Sequence, residues 1–227
     1  ADVVVTTRSS TEAVAARIEG DARANSPMAG KVSGRSLDLS DSRSVAAFTD
    51  WYLEEHAPAG QLDILVNNAG IHLDLLSRWK EPRLAPDGHE IQWRTNFLGT
   101  CHLTHRLLPA LRRSGRGRVV NVVSQLHSKG YNEGLFDPSA RPYNSWVAYG
   151  MSKLGLVHMT GEMQRRFAES DGLQAYCLHP GGVYTNVAAK GLEDTGIVEK
   201  VRTALAPIEA FFLLTPLEGA QTQIHCA

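Results

Sequence analysis

The sequence has almost no net charge, few cysteines and no long apolar run, and each shortage excludes a class of protein. With 23 basic and 24 acidic residues the formal net charge is -1, so no overall field draws the chain to nucleic acid or to an anionic membrane. No apolar run reaches the ~18 residues of a membrane span. We therefore expect no nucleic-acid partner and no membrane segment within these residues.

Cysteine is scarce, and its three positions (Cys101, Cys177 and Cys226) show no spacing typical of metal ligands. An odd and sparse count favours reduced thiols, which are usual in the cytosol. The sequence thus indicates no metal site and a cytoplasmic location, with a membrane anchor upstream of residue 1 left open as an alternative.

Five apolar runs alternate with helical patterns along the 227 residues, 43% of which are hydrophobic and 21% charged. Because the runs are continuous, they indicate strands buried on both faces of a parallel sheet, with helices crossing over on each side. We predict one α/β domain over residues 1–227, a doubly wound parallel sheet in three layers. The predicted strands are 3–7, 32–37, 62–66, 118–123 and 173–178. The predicted helices are 11–24, capped by a serine (Ser10), 42–55, 88–113 and 146 to about 171.

One pair of residues has an immediate chemical use. Tyr149 and Lys153 stand four apart in a predicted helix, so their side chains lie on one face. A free phenol has a pKa near ~10, and a neighbouring ammonium would lower that value and let Tyr149 exchange a proton near neutral pH. The plainer reading is a surface helix on which a lysine stem covers a tyrosine ring.

A second motif, Asn67-Asn68-Ala69-Gly70, directly follows the third predicted strand. Asparagine side chains hold a strand end by bonding to local backbone, and small residues let a flat ligand approach closely. In a parallel sheet, ligands bind at the carboxyl ends of the strands, where this motif lies. An ordinary Asn/Gly turn is the plainer alternative.

Taken in order, five motifs resemble the short-chain dehydrogenase/reductase family. The phrasing of residues 88–99 and 215–222 is most similar to its retinol dehydrogenase and WW-domain oxidoreductase branch. The resemblance covers essentially the whole chain and implies a Rossmann-like fold and an oxidoreductase that uses a nicotinamide dinucleotide. The motifs are Asn67 to Gly70, Asn96 in Asn96-Phe97-Leu98-Gly99, Ser124 after a strand, Tyr149 with Lys153, and Pro180-Gly181.

The resemblance implies a role for each matching residue. Tyr149 would give a proton to a carbonyl oxygen, Ser124 would hydrogen-bond that oxygen, and Lys153 would lower the pKa of Tyr149 and hold the cofactor ribose. Asn96 would hold a water that links Lys153 to solvent. The implied cofactor-binding residues are Arg8, Asp38, Leu39, Asn68, Ala69, Gly70, Tyr149, Lys153, Pro180, Gly181, Val183 and Thr185.

Arg8 bears on the choice between the two nicotinamide cofactors. An acidic residue at the end of its strand would bind the ribose 2′-hydroxyl of NAD and repel a 2′-phosphate. Thr6, Thr7 and Arg8 offer hydroxyls and a guanidinium instead, and a guanidinium suits a phosphate. We therefore predict NADP(H), with NAD(H) as the alternative. The plainer reading of Arg8 is an exposed residue before a helix.

One family motif is missing from the sequence. The Gly-rich loop T-G-x-x-x-G-x-G joins the family's first strand to its first helix, and nothing in residues 1–60 matches it. The strand before that loop would lie mid-sheet, so we predict a gap between strands 3–7 and 62–66. The family's closing strand would follow Ala227. We therefore expect an internal fragment or a chain that lacks its ends, whose activity belongs to the complete protein.

Three segments near the site, residues 71–79, 125–146 and 183–198, are rich in apolar and aromatic residues. They predict a pocket for a bulky ketone or aldehyde. The alternative is that these side chains only anchor their own loops. By resemblance, we also expect the helices over 88–113 and 146–170 to form a four-helix interface in a homodimer or homotetramer.

The sequence leaves three functions open, because one fold hosts many chemistries. The first is an NADP(H)-dependent carbonyl reductase or alcohol dehydrogenase. The second is a catalytically silent dinucleotide-binding regulator or scaffold, and the third is a lyase or epimerase with the same cofactor. The intact set of Ser124, Tyr149 and Lys153 favours the first over the second, and a turnover assay separates the first from the third.

Overall fold

Parallel strands alternating with helices make up the chain, as the sequence predicts. The computed structural model describes residues 1–26, 30–56, 60–133, 142–183 and 213–227. Every predicted strand is confirmed, with small differences in its bounds. The strands are β1 (Val3–Thr7), β2 (Val32–Ser36), β3 (Ile64–Asn67), β4 (Arg118–Val122) and β5 (Gln174–Leu178).

A gap divides the strands into two sheets. β1 pairs in parallel with β2, while β4 lies between β3 and β5 and is parallel to both. Among the described residues β1 and β3 are not paired with each other, which confirms the predicted gap. Val3, Ile64 and Val66 belong to the strands that border it, and each is at least 40% exposed.

The helices are less regular than the sequence predicts. The helix predicted over 88–113 begins only at Ile91, after Glu90 caps it by accepting a hydrogen bond from the Trp93 amide at 2.7 Å. It widens into a π-helical turn at Arg94–Leu98 before it continues, and α2 ends in a second such turn at Tyr52–His56. The helices are α1 (Thr11–Asn25), α2 (Ser42–Trp51), α3 (Ile91–Trp93), α4 (Gly99–Arg113), α5 (Ser145–Asp171) and α6 (Pro216–Cys226).

The predicted serine cap of α1 is wrong. Ser10 adopts a left-handed conformation with φ 55° and makes no capping hydrogen bond through its side chain. The turn is held by Thr7 instead, whose hydroxyl donates to the Ser9 carbonyl at 2.6 Å and lies 3.0 Å from the Thr11 hydroxyl. By contrast, α5 ends near Gly172 as predicted, and it begins after an Asn144 cap that the sequence analysis does not identify.

An apolar core between α2 and α4 joins the two sheets. Phe48 of α2 and Leu107 of α4 belong to one buried cluster, which also takes in Leu37 and Leu39 from the end of β2. Gly99 approaches this region so closely that an added Cβ would lie 2.2 Å from the Leu39 carbonyl oxygen. The core therefore fixes the end of β2 relative to α4.

Two further features concern the surroundings of the site. Among the described residues, no helix combines the length and the apolarity that a bilayer crossing requires. In the same part of the chain, no three His, Cys, Asp or Glu side chains form a group that could hold a metal ion.

Candidate active site

The fold brings Ser124, Tyr149 and Lys153 together. Ser124 stands two residues after β4 in extended conformation, and its hydroxyl accepts a hydrogen bond from the Leu126 amide at 3.2 Å. Tyr149 lies near the start of α5, where the Ser124 side chain hydrogen-bonds its phenol. The hydroxyl of a strand end and the phenol of a helix thus meet at the carboxyl edge of the sheet.

Lys153 is only 3% exposed and lies on α5 behind Tyr149. Its Nζ atom donates to the Val122 carbonyl oxygen at 2.9 Å, and this is its one hydrogen bond within the described residues. An ammonium carries three N–H donors, so donors are left for a ligand. Burial lowers the pKa of Lys153 to about 8, because a charged group is costly away from water.

The expected lowering of the pKa of Tyr149 by Lys153 is wrong in this structure. Burial raises the pKa of Tyr149 above its ordinary value, and the hydrogen bond from Ser124 offsets only part of that effect. Lys153 Nζ lies 5.7 Å from the centroid of the Tyr149 ring. Tyr149 is therefore held as a neutral phenol at pH 7, the form that donates a proton.

Asn96 connects the site to the segment that follows Gly70. Its side chain is fully buried within the π-helical turn, where its oxygen accepts from the Ile71 amide at 2.8 Å. Its nitrogen donates to the Ile71 carbonyl at 2.9 Å and to the Ser152 hydroxyl at 3.0 Å. Asn96 thus ties the end of β3 to α5. The water expected at Asn96 stays a prediction.

A cavity of about 1040 Å³ runs along the gap between β1 and β3. This volume suits a ligand as long as a dinucleotide, since sites for small molecules enclose roughly 300–1,000 Å³. Six of the residues predicted to bind cofactor line it, three from each sheet. They are Arg8, Asp38 and Leu39 on one side and Asn68, Ala69 and Gly70 on the other.

Gly70 shows that the site is shaped around Lys153. A Cβ atom at Gly70 would lie 3.1 Å from Lys153 Nζ and 3.4 Å from Asn96 Oδ1. A larger residue would require the ammonium to shift by a few tenths of an ångström. The residues present fit a nicotinamide dinucleotide, although residues 1–60 contain no Gly-rich loop for the pyrophosphate.

The charges on the cavity wall are predominantly basic. Arg8, Arg78 and Arg83 line it together with Asp38 and Asp74. Both carboxylates are engaged locally. The Asp38 carboxylate accepts from the amide and hydroxyl of Ser40, and the Asp74 carboxylate accepts from the backbone amides of residues 78 and 79. Guanidinium groups bind phosphates, so this wall suits an anionic cofactor.

The remaining predicted cofactor residues follow β5. Pro180, Gly181 and Val183 are not among the described residues that line the cavity. Gly181 has φ 85°, a conformation that favours glycine, and Val183 forms a single β-bridge with Leu214. Thr185 lies outside the described residues, as do Leu135, Phe136, Tyr184 and Ile197 of the predicted apolar segments.

The aromatic residues of those segments divide between two roles. Tyr143 donates to a Glu90 carboxylate oxygen at 3.1 Å and Trp146 donates to the Leu75 carbonyl at 3.1 Å, so both anchor their own loops. Leu73 and Trp79 instead line the cavity. The pocket for a bulky substrate stays a prediction.

The sequence reasoning missed His72. Its imidazole stacks on Tyr149 with ring centroids 4.2 Å apart and an interplanar angle of 12°, and its side chain is only 6% exposed. Burial lowers the pKa of His72 to about 4. The sequence offers one indication of its role, because His72 stands two residues after the Asn67 to Gly70 motif.

Comparison with known proteins shows what this architecture is similar to. A family model described as short chain dehydrogenase matches residues 1–196. Human retinol dehydrogenase 11 is 35% identical over 193 residues, which cover 85% of this chain and 55% of that protein. The chain thus spans about half the length of this relative.

Two solved structures share the fold. The crystal structure of an uncharacterised protein from Mycobacterium paratuberculosis is 36% identical with a TM-score of 0.59, covering 89% of this chain and 66% of that one. A metagenomic short-chain oxidoreductase solved in complex with NADP is 23% identical with a TM-score of 0.56, covering 80% of this chain and 71% of that one. At that identity the second likeness bears on the fold alone.

Proposed function

The chain belongs to the short-chain dehydrogenase/reductase family, and on that premise we propose that the protein transfers a hydride between NADP(H) and a carbonyl or alcohol substrate. The observation that carries this proposal is the grouping of Ser124, Tyr149 and Lys153 next to Gly70, which lines a cavity large enough for a dinucleotide. A silent regulator would need the cavity but not a neutral phenol bonded to a serine hydroxyl.

The residues of the chain supply the proton and hold the reacting oxygen. The cofactor, when bound, supplies or accepts the hydride. In reduction, Tyr149 protonates the carbonyl oxygen, because its phenol carries its proton at pH 7. The Ser124 hydroxyl donates to the same oxygen and stabilises its developing charge. Lys153 uses its remaining N–H donors on the ribose hydroxyls.

We propose NADP(H) over NAD(H) because of Arg8, which stands at the carboxyl end of β1 and lines the cavity. A 2′-phosphate beside its guanidinium group gains charge-assisted hydrogen bonds that a 2′-hydroxyl does not.

For the substrate, we propose a bulky, apolar carbonyl compound or alcohol. The named relative is a retinol dehydrogenase, and Leu73, Trp79 and Ile91 give the cavity wall an apolar part. We further propose that α4 and α5 pack against a second subunit, and sedimentation as a monomer at micromolar concentration would contradict that assembly.

The test is the substitution Tyr149→Phe in the full-length protein. It removes only the hydroxyl, so ring packing and NADPH binding should survive. Turnover of a reactive aromatic aldehyde at saturating NADPH should fall by roughly 10²–10⁴-fold, the size of general-acid help. NADPH consumption measures turnover, and quenching of protein fluorescence measures cofactor affinity.

Two further variants complete this experiment. Lys153→Met should lower turnover and weaken NADPH together, because it removes both the ammonium and its ribose contact. Tyr176→Phe changes an exposed tyrosine of β5 and should leave both quantities unchanged. Substantial activity in Tyr149→Phe would refute Tyr149 as the proton donor.

A further inference from the structure

His72 lies in a stack of rings at the centre of the active site. One face of its imidazole is parallel to the Tyr149 ring, with centroids 4.2 Å apart and planes 12° apart. The Trp146 ring meets it edge-on, at 4.7 Å and 86°. Both partners belong to α5, so the imidazole is held between two side chains of the helix that carries the phenol.

The segment around His72 is fixed by hydrogen bonds on both sides. Before it, the Ile71 amide and carbonyl both bond to the side chain of Asn96. After it, the Leu73 amide donates to Gln92 Oε1 at 2.9 Å, and the Ser145 hydroxyl donates to the Asp74 carbonyl at 2.7 Å. These bonds come from α3, the π-helical turn and α5. The imidazole is therefore mounted rigidly against the phenol, although it lies outside regular secondary structure.

The polar edge of His72 is unusual for a buried ring. Its Nε2 atom is buried without a hydrogen-bond partner among the described residues, and such groups are rare enough in folded proteins to need an explanation. Burial lowers the pKa of His72 to about 4, and the nearby charge of Asp74 opposes this only in part. The imidazole of His72 is thus neutral at pH 7.

We propose that His72 is a positioning residue of this active site, whose imidazole fixes the plane of the Tyr149 ring and keeps water from one face of the phenol. The proposal rests on the proposed function in one respect, since it takes Tyr149 to be the proton donor. Ser124 and Lys153 are the other polar groups that face the phenol, and Asp74 is the charged group that faces His72.

Two effects follow from this arrangement, and different substitutions separate them. A planar ring packed against Tyr149 restricts the phenol to one orientation, which a proton transfer requires. A side chain that excludes water from the phenol raises the pKa of Tyr149, because a phenolate is less stable away from water. His72→Phe keeps both effects, His72→Leu keeps the dry cover without the flat face, and His72→Ala removes both.

The pKa of Tyr149 is measured directly by NMR titration of the protein labelled with ¹³Cζ-tyrosine, without any need for turnover. Its signal is the one missing in Tyr149→Phe. We expect a pKa above the ordinary phenol value in wild type, His72→Phe and His72→Leu, and a lower one in His72→Ala. An unchanged pKa in His72→Ala, with circular dichroism showing a native fold, would overturn the proposal.

Kinetics then test the orientation. In His72→Leu, kcat for carbonyl reduction should fall by roughly 10- to 100-fold, as misplacement of a reacting group by about 1 Å does, while KM changes by no more than a few-fold. His72→Phe should restore most of kcat. A His72→Leu enzyme with wild-type kcat would overturn the positioning role. If the wild-type protein shows no turnover, the proposed function fails. The titration still tests whether His72 controls the pKa of Tyr149.

Discussion

The surroundings of Tyr149 and those of Arg8, the two ends of the candidate site, are built in different ways. At the end that holds Tyr149, buried side chains bond across long stretches of sequence. Asn96 reaches Ser152 over 56 residues, and Asn67 reaches Asn121 over 54. At the end that holds Arg8, one long-range bond, from Arg94 to the Leu39 carbonyl, is joined by bonds that are local. Thr7 contacts Thr11 four residues on, and Asp38 bonds to Ser40 two residues on.

The difference shows that proton transfer and cofactor selection depend on different kinds of structure. Proton transfer needs a few atoms held in one geometry, and bonds from several distant elements provide that. Selection between two cofactors needs only a suitable charge at a strand end, which an exposed arginine provides. Substitutions at the Tyr149 end should therefore change stability and catalysis together, whereas those at the Arg8 end should change cofactor choice alone.

The largest expected effect that tests this comparison is that of Asn96→Ala. The substitution removes the Asn96 partner of the partly buried amide and carbonyl of Ile71 and of the buried Ser152 hydroxyl, and a buried polar group left unpaired costs about 1–3 kcal/mol. We expect the free energy of unfolding to fall by roughly 3 kcal/mol and kcat to fall with it. Urea denaturation and the aldehyde assay measure the two quantities.

The matched control for this prediction is Asn25→Ala, at the end of α1. That side chain donates to the Asp21 carbonyl at the surface, so its loss should change the free energy of unfolding by about 0.5 kcal/mol or less. Equal effects of the two substitutions would show that the long-range bonds at the Tyr149 end add nothing.

A smaller effect is expected from Arg8→Asp. If Arg8 binds the 2′-phosphate, the change removes a charge-assisted contact worth about 1.5–3 kcal/mol, and NADPH affinity should fall roughly ten-fold or more. NADH affinity and the free energy of unfolding should hardly change. Arg17→Asp, an exposed residue of α1, is the control. Equal weakening of both cofactors would show that Arg8 is not the discriminator.

The smallest effect is predicted for Ser10→Gly, and its sign is favourable. A residue other than glycine costs about 1–2 kcal/mol in the left-handed conformation. Glycine avoids this cost, but its greater conformational freedom in the unfolded chain offsets part of the gain in stability. Since Ser10 makes no capping bond, we expect a gain of about 0.5 kcal/mol. Asp41→Ala removes a true cap, whose oxygen accepts from the Arg43 amide, and should cost about 1 kcal/mol. Thermal denaturation of both variants shows whether the signs differ.

Much of this architecture could be predicted from local pattern, and the errors have physical reasons. Apolar runs locate β1, β3 and β4, and the signal is most continuous in β4, the strand buried along most of its length. β2, which reads Val-Ser-Gly-Arg-Ser, is located mainly by its place between two helices. The π-helical turn at Arg94–Leu98 leaves none, since the apolar positions on either side still repeat at helical spacing. Ser10 failed as a cap because the hydroxyls of Thr7 and Thr11 hold that turn.

The site shows the same division. Spacing alone brings Tyr149 and Lys153 to one face of α5, and the fold adds Ser124. The pKa of Tyr149 depends on how much protein surrounds the phenol, which no spacing reveals. The contact between His72 and Tyr149 joins residues far apart in sequence, so only the folded chain shows it.

The π-helical turn also sets a rule for mutations that change chain length. An α-helix rotates by about 100° for each residue, and this turn accommodates one more residue than a regular turn would. Deletion of a single residue from Arg94–Leu98 would regularise the helix and rotate Leu103, Leu107 and Leu111 out of their buried positions. This stretch should therefore reject an in-frame loss of one codon.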